Sequence, residues 1–479
     1  MAEVIGSGIP RIGVTDRAVA TPRATAVPGR IAARIDRLPL TPVQWELALL
    51  TQVAWGLIIV DTDGIAGRLY PFVWAPQHLL SVVEYAVIQA LEVGLGVLIG
   101  AFVMGLFADR FGRRPAMMLA ALLAGVFVWP FAFVSSFWGL VGLSVLSTLG
   151  VGAIVATHAV YISEVVSPQV RNRVMLGSQG VTALITVISG LLAFWLIPGQ
   201  WQWYVYAMAA FQLLVLFPLL AWRLPESPRW LEARGRVDEA EKAVEVLEKR
   251  CQRYTREPLP EPDPTPRPVV QAGRGAWREL FTSATYRPRT LVTLAAWFFG
   301  YAGIVYGAPS FAAVYLADHG GSAQFVFALI TVAGLIRFGA FLVNAQFGER
   351  FERRDVIFAL AMLFSLSYVV MFFVPTLPVM AVFYTLGSIG GGLWLFNMYN
   401  YTAVSFPTRM RSMAFSWTDG LAHLGAWGGI TLSGTLFLMG PNHLGWILFM
   451  VLPGALLPSL LIRLWGIRQR SAILEQIST

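Results

Sequence analysis

A few ionisable side chains lie inside long apolar stretches of the sequence, and they are the residues best placed to do chemistry there. Among them are Asp61, Glu92, Arg337, Asp419 and His423. A charged side chain at the centre of a bilayer costs about 2.5–3.5 kcal/mol on insertion scales, so such residues usually face a partner or a water-filled passage. A carboxylate or imidazole that alternates between dry and wet surroundings can bind and release a proton. The two aspartates, Glu92 and His423 are therefore candidate proton-coupling residues.

Arg337 is the most informative of these residues, because a guanidinium stays charged and needs an anion when it leaves water. The anion is either the carboxylate of Asp419 or a carboxylate that belongs to a substrate. The other candidates also have two interpretations. Asp61 is either a proton carrier or a solvated residue near a helix end, Glu92 a proton carrier or a structural partner, and His423 a titrating group or a plain hydrogen-bonding residue.

Neutral polar and aromatic side chains in the same stretches are candidates for substrate contact. Amides offer hydrogen bonds, and an indole can stack on a planar ring. These candidates are Gln179, Asn397, Asn400 and Trp394. The sequence has no phosphate-binding loop, metal-ligand cluster or nucleophile triad. We therefore expect no cofactor, no metal and no enzymatic activity, and any work these residues do must draw on ion or substrate gradients rather than on ATP.

Membrane helices must position these residues. Of 479 residues, 56% are hydrophobic and 13% are charged, which excludes a soluble enzyme or a disordered protein, and the single cysteine excludes an intramolecular disulfide. A membrane-spanning helix needs about 20 apolar residues. Twelve such runs are found near 45–70, 82–107, 115–134, 138–163, 173–196, 203–222, 288–316, 323–347, 355–374, 378–403, 412–438 and 443–465. The runs are apolar on all sides, which favours an all-α membrane protein over a β-barrel.

The basic residues indicate how the chain crosses the membrane. Most of the 35 Lys and Arg lie in the two tails and in alternate loops, with Arg68 and Arg337 as exceptions. Because cytoplasmic loops are rich in Lys and Arg, both termini and the loop near 223–289 are predicted to be cytoplasmic. The net charge of +8 then faces anionic lipid of the inner or plasma membrane, and no nucleic-acid partner is expected.

The chain divides into five segments. A cytoplasmic tail, which we expect to be loose, covers residues 1–40, and six-helix bundles cover 41–223 and 290–467. Between the bundles, residues 224–289 hold short helices and a proline-rich spacer that includes Pro258, Pro264, Pro266 and Pro268. Residues 468–479 form a second cytoplasmic tail. We expect a monomer.

One motif between the second and third apolar runs reads GLFADRFGRR from Gly105 to Arg114. It resembles the loop signature of the major facilitator superfamily, and a degraded copy, AQFGERFERR, follows at 345–354 in the second half. The resemblance implies twelve helices in two pseudo-symmetric six-helix bundles around a midplane site. It also implies a cytoplasmic gate formed by Gly105, Asp109, Arg110, Gly112, Arg113, Arg114, Glu164, Arg171, Glu349 and Arg411.

Further motifs narrow the resemblance to the sugar-porter and organic-ion branch, which includes nicotinate- and synaptic-vesicle-related proteins. The sequence PESPRWL at 225–231 is similar to the segment after helix 6 in that branch, and FPTRMR at 406–411 is similar to its second-half counterpart. The sugar-porter PETKG tail is absent. We therefore predict proton-coupled uptake of a small organic anion by alternating access. The alternatives are a sugar/proton symporter, an efflux antiporter and a non-transporting receptor with the same fold.

Overall fold

The structure is a computed structural model that describes residues 30–263, 276–347, 350–406, 414–440 and 452–468. Two predicted gate residues, Glu349 and Arg411, lie outside these ranges. Asp61 lies within them, but its side chain is not among the described parts of the structure. The prolines 264, 266 and 268 of the spacer also lie outside them. The described residues form helices joined by short connections and contain no strand.

The long helices follow one another in the order of the predicted apolar runs. In the described ranges they are α1 (Pro42–Leu69), α2 (Val82–Phe111), α3 (Arg113–Ala132), α4 (Phe137–Val165), α5 (Pro168–Leu196), α6 (Trp201–Arg223), α7 (Tyr286–Asp318), α8 (Ala323–Phe347), α9 (Arg353–Phe373), α10 (Leu377–Ser405), α11 (Trp417–Leu438) and α12 (Leu457–Trp465). Those from α2 to α11 are long and apolar enough to cross a membrane. The predicted all-α membrane fold is confirmed.

Among the described residues, four of these helices contain a wide π-helical turn, and two more such turns, Tyr70–Trp74 and Leu452–Leu456, adjoin α1 and α12. The four turns are Glu92–Val97 in α2, Phe211–Leu216 in α6, Tyr301–Val305 in α7 and Ser416–Gly420, which overlaps the start of α11. A π-helical turn leaves the regular hydrogen-bond ladder and is often found at functional sites. Two of the candidate carboxylates, Glu92 and Asp419, lie in such turns.

The two halves of the molecule touch along α2 with α11 and along α5 with α8, and glycines lie at the closest approaches. A methyl group on Gly94 would lie 2.6 Å from Cβ of Trp427, and one on Gly434 would lie 2.8 Å from Cβ of Ala86. Small residues let membrane helices approach closely, so at these points a side chain of one half packs directly on the backbone of the other.

Aromatic side chains close the end of the molecule that lies away from the GLFADRFGRR motif. The ring of Tyr85 stacks on that of Tyr70, with 4.3 Å between the ring centroids, and packs edge-to-face with Phe311, with 5.8 Å between the centroids. The Tyr85 hydroxyl also donates to the carbonyl of Ser310 at 2.7 Å. These contacts join α2 to α7, so the two halves are sealed together at this end. We call this cluster, with Phe72 and Phe327, the aromatic seal.

The tail was expected to be loose, but residues Arg30–Asp36 form a helix that packs on the loop after α6. Ile31 and Ile35 are buried against Trp230 and Leu231 of the short helix Pro228–Ala233. The neighbouring helix Val237–Gln252 adds its apolar face to the same cluster. Apolar burial thus holds the tail helix in place, and the short periodic pattern was too brief to predict it.

Charge pairs add to this docking. Glu248 accepts hydrogen bonds from Arg34 at 3.0 Å and from Arg37 at 2.6 Å, and its side chain is only 12% exposed. Burial alone would raise the pKa of Glu248, but the hydrogen bonds and charges of the two arginines outweigh burial and lower the pKa. Since the folded-state pKa is lowered, the stabilisation is complete above the unfolded value of about 4.3 and is lost as pH falls through the folded-state pKa.

We expect Glu248→Gln to loosen the tail helix at neutral pH. Losing this paired charge should cost about 1–2 kcal/mol, so opening of residues 30–36 should become roughly ten-fold more frequent. Hydrogen exchange of that segment, corrected for the intrinsic rate, measures the change, and acidification of the parent protein should reproduce it. Glu245→Gln on the same helix is the matched control, because Glu245 is half exposed and 3.7 Å from Lys249. Equal exchange in both variants would contradict the role of Glu248.

Candidate functional site

The gate motif forms a charge cluster at the junction of α2, α3 and α4. Arg113 is largely buried and pairs with Asp109 at 2.6 Å and with Glu164 at 3.2 Å. Arg171 donates to the carbonyl of Val166 at 3.3 Å. The structure therefore brings Asp109, Arg113 and Glu164 into one network within the first half.

Glu226, which follows α6, completes this network, and we had not singled it out from the sequence. Its carboxylate accepts hydrogen bonds from the backbone N–H groups of Arg113 at 2.9 Å and Arg114 at 3.3 Å. Burial raises the pKa of Glu226, although these backbone hydrogen bonds oppose the effect. Gly112 has φ of +116°, and a methyl group there would lie 2.1 Å from Glu226 Oε2, so the turn requires glycine. The PESPRWL motif was the signal that could have found Glu226.

Residues of the loop after α6 also form hydrogen bonds with the backbone of the gate motif. The indole N–H of Trp230 donates to the carbonyl of Asp109 at 2.9 Å, and Arg234 donates to the same carbonyl. The tail helix, the short helices and the gate motif are thus one connected assembly at the arginine-rich end of the molecule.

A cavity of about 260 Å³ lies between the two halves at this arginine-rich end. Its lining includes the gate residues Gly105, Asp109, Arg113 and Arg171, together with parts of α2, α4, α5, α10 and the start of α11. Asp419 lines its wall from the second half. With the aromatic seal closed at the opposite end, this cavity is the space that both halves share in this conformation.

Asp419 belongs to a polar cluster in the second half. It is 3% exposed and accepts a hydrogen bond from the hydroxyl of Tyr301, whose oxygen is 3.2 Å from that of Tyr399. The ring of His423 lies 4.8 Å from that of Tyr301, and its Nδ1 is 3.0 Å from the carbonyl of Asp419. Within the described part of the chain, His423 Nε2 is buried with no hydrogen-bond partner. Asp419 is thus both buried among hydroxyl groups and adjacent to the cavity.

Asn400 is the polar residue of the cavity wall that is least satisfied by the protein. Both its amide nitrogen and its amide oxygen are buried without a hydrogen-bond partner among the described residues. Unpartnered buried amides are rare, and a ligand or a water molecule normally satisfies them. Asn397, one turn away, instead donates to the carbonyl of Leu393 in its own helix at 2.8 Å.

Arg337 does not pair with Asp419. Its guanidinium donates to the hydroxyl of Thr186 on α5 at 3.1 Å and lies 3.5 Å from the hydroxyl of Ser388 on α10. Among the described residues, no carboxylate lies within 4 Å of it. The Arg337–Asp419 ion pair, one of the two predicted pairings, is thus absent, because Arg337 contacts α5 and α10 whereas Asp419 binds Tyr301 on α7, and spacing along each helix cannot reveal such contacts. Its contact with Thr186 instead joins the two halves.

The remaining candidates are more dispersed. Glu92 is 2% exposed in its π-helical turn beside α11. Gln179 is buried at the break between two parts of α5, and its side-chain oxygen has no partner among the described residues. Trp394 donates its indole N–H to Ser459 at 2.8 Å and packs against Gly300, away from the lining of the cavity. Its contacts are those of a packing residue within the second half.

Comparison with known proteins agrees with this architecture. The sequence is 28% identical to the 4-hydroxybenzoate transporter PcaK of Pseudomonas aeruginosa over 89% of this chain and 93% of that protein. It is 24% identical to the niacin transporter NiaP of Acinetobacter baylyi over 82% of this chain and 88% of that protein. The fold is similar to the inward-open structure of the xylose transporter XylE from E. coli, with a TM-score of 0.65, 16% identity, and coverage of 90% of this chain and 98% of that one.

The family description "Major Facilitator Superfamily" matches residues 62–345, which is more than half of the chain. The matching family and the full-length relatives are transporters and not enzymes. The chain, a multi-pass membrane transporter, therefore belongs to the Major Facilitator Superfamily.

Proposed function

We propose that the protein takes up a small organic anion together with protons by alternating access. The observation that carries the proposal is the environment of Arg337: a guanidinium enclosed between the two halves, with two neutral hydroxyl groups as its partners. A partly buried cation of this kind is stabilised by an anion, and a substrate carboxylate can bind a guanidinium with two parallel hydrogen bonds. Relatives named as carriers of 4-hydroxybenzoate, niacin and gallate support the same substrate class.

The conformation supports alternating access. The aromatic seal closes one end, while the cavity beside the gate motif lies at the other. We place the arginine-rich end, with both termini, in the cytoplasm, because the basic residues favour that side of a plasma or inner membrane. The structure then corresponds to an inward-facing state of a monomeric carrier. Substrate released from Arg337 would leave past Asp419 and Asn400 towards the cytoplasm.

Proton coupling is the finer part of the proposal. Asp419 has the geometry of a proton carrier, since its carboxylate lies at the boundary between a buried hydroxyl cluster and the cavity. Asp61 and Glu92 remain candidates on sequence grounds. A carboxylate that loses a proton on one side of the membrane and regains it on the other links transport to the proton gradient.

Uptake into proteoliposomes tests the proposal. We expect at least one of 4-hydroxybenzoate, nicotinate and gallate to accumulate when the lumen is alkaline, and a protonophore to abolish the accumulation. Xylose is the control solute and should not accumulate. Accumulation of xylose without any acid would instead indicate a sugar porter, export of the acids an efflux antiporter, and no movement of any solute a non-transporting receptor.

A further inference from the structure

Arg68, a buried arginine at the end of α1, has no role in the function proposed so far. It is 7% exposed, and its Nη1 donates to the hydroxyls of Ser189 on α5 and Tyr204 on α6. The guanidinium carbon also lies 5.7 Å from the centre of the Tyr204 ring. Among the described residues no carboxylate lies within 4 Å of it. Like Arg337, which is partly buried, Arg68 is a cation whose hydrogen-bond partners among the described residues are neutral.

The two arginines meet the same face of α5. Arg337 binds Thr186 and Arg68 binds Ser189, and residues three apart on a helix are neighbours with Cβ atoms about 5–6 Å apart. One arginine comes from each half of the transporter, so the pair lies across the boundary between the halves.

Each guanidinium carries a positive charge, and burial in a membrane protein leaves little water to screen it. Hydroxyl groups satisfy their N–H donors but do not neutralise their charge. A single bound carboxylate would compensate one of the two cations. A ligand with two anionic groups would compensate both.

We propose that Arg68 and Arg337 form a paired-arginine site for a dianionic organic acid, with one carboxylate bound at each guanidinium. This inference rests on the proposed function and adds that organic acids with two carboxylates bind more tightly than those with one. Arg68 lies two residues before Tyr70, the first residue of the aromatic seal. A dianion that enters when this seal opens therefore meets Arg68 first and then spans to Arg337, one turn further along α5.

Binding of matched ligands to the purified full-length protein in lipid nanodiscs tests the site. The probes are terephthalate, which carries two carboxylates, and terephthalamate, which has the same shape with one carboxylate replaced by a neutral amide. Calorimetry should show the parent protein binding terephthalate at least about ten-fold more tightly, the size expected for one added charge-assisted interaction. This comparison needs no variant, so it does not depend on how a substitution folds.

Variants then assign the second carboxylate to Arg68. We expect Arg68→Gln to reduce the ratio of the two affinities to about one, whereas Arg68→Lys should retain part of it because the charge remains. Equal affinities in the parent, or an unchanged ratio in Arg68→Gln, would overturn the paired site. If the monoanion binds equally well and is transported, only this inference fails. If neither probe binds and no organic acid is transported, the proposed function fails with it.

Discussion

Replacing Arg337 with glutamine should lower kcat/KM for organic-anion uptake by about 100-fold, which corresponds to about 2.7 kcal/mol. Glutamine is a polar, uncharged side chain that keeps an N–H donor, although it is shorter than the arginine that contacts Thr186 at 3.1 Å and Ser388 at 3.5 Å. The positive charge that would attract a carboxylate is lost. Initial rates of uptake into proteoliposomes over a range of substrate concentrations measure the effect.

Two further variants make the result for Arg337 specific. Arg337→Lys retains the charge but not the planar fork of the guanidinium, so its activity should fall between those of the parent and the glutamine variant. Arg463→Gln removes an arginine of the same half that is half exposed and 3.2 Å from Asp355, and it should transport at the parental rate. Parental uptake by Arg337→Gln would show that the anion is recognised elsewhere.

Replacing Asp419 with asparagine should abolish accumulation driven by the proton gradient. Asparagine has nearly the same shape and can still accept the Tyr301 hydroxyl hydrogen bond, but it cannot exchange a proton. A pH difference of about 1.7 units supplies about 2.3 kcal/mol per proton, enough for roughly 50-fold accumulation, whereas a membrane potential adds nothing when one proton moves with one monoanion because the pair is electrically neutral. We therefore expect the inside-to-outside ratio to fall from about that value to about one in the variant. Counterflow, in which labelled substrate exchanges for unlabelled substrate, should persist.

The comparison variants decide which carboxylate carries the proton. Tyr301→Phe removes the hydroxyl and leaves the Asp419 carboxylate in place, so coupling should be retained. Asp61→Asn tests the sequence-based candidate on α1 by the same two assays. If Asp419→Asn accumulates substrate like the parent while Asp61→Asn does not, the proton carrier is Asp61 and our assignment to Asp419 is wrong.

The sequence was sufficient to predict the fold, for a clear physical reason. A bilayer requires about 20 apolar residues per helix, so the apolar runs themselves mark the helices. The DRFGRR turn between α2 and α3 then distinguished this fold from other helical membrane proteins. The gate residues Asp109, Arg113 and Glu164 come together because each lies at a helix end whose position the topology determines.

The interior of the site was less predictable, since distance along a helix does not give the direction of a side chain around it. Arg337 and Asp419 were candidate partners on depth alone, yet they face different neighbours. Trp394 was a reasonable stacking residue by type, but a serine on α12 binds its N–H. The π-helical turns at Glu92 and Asp419 rotate the following residues, and no sequence pattern signals them. Arg68 departs from the distribution of basic residues along the sequence, but that distribution does not indicate its role.

The glycines where the two halves meet have a mechanical consequence. Gly434 lies near the aromatic seal, and Gly94 lies further from it along the same pair of helices. A side chain placed at residue 434 would push α2 and α11 apart beside the aromatic seal and so favour the conformation in which that end is open. The position of an added side chain along the contact between α2 and α11 would thus decide which end of the carrier opens. A single substitution of chosen size could then trap the inward-facing or the outward-facing state.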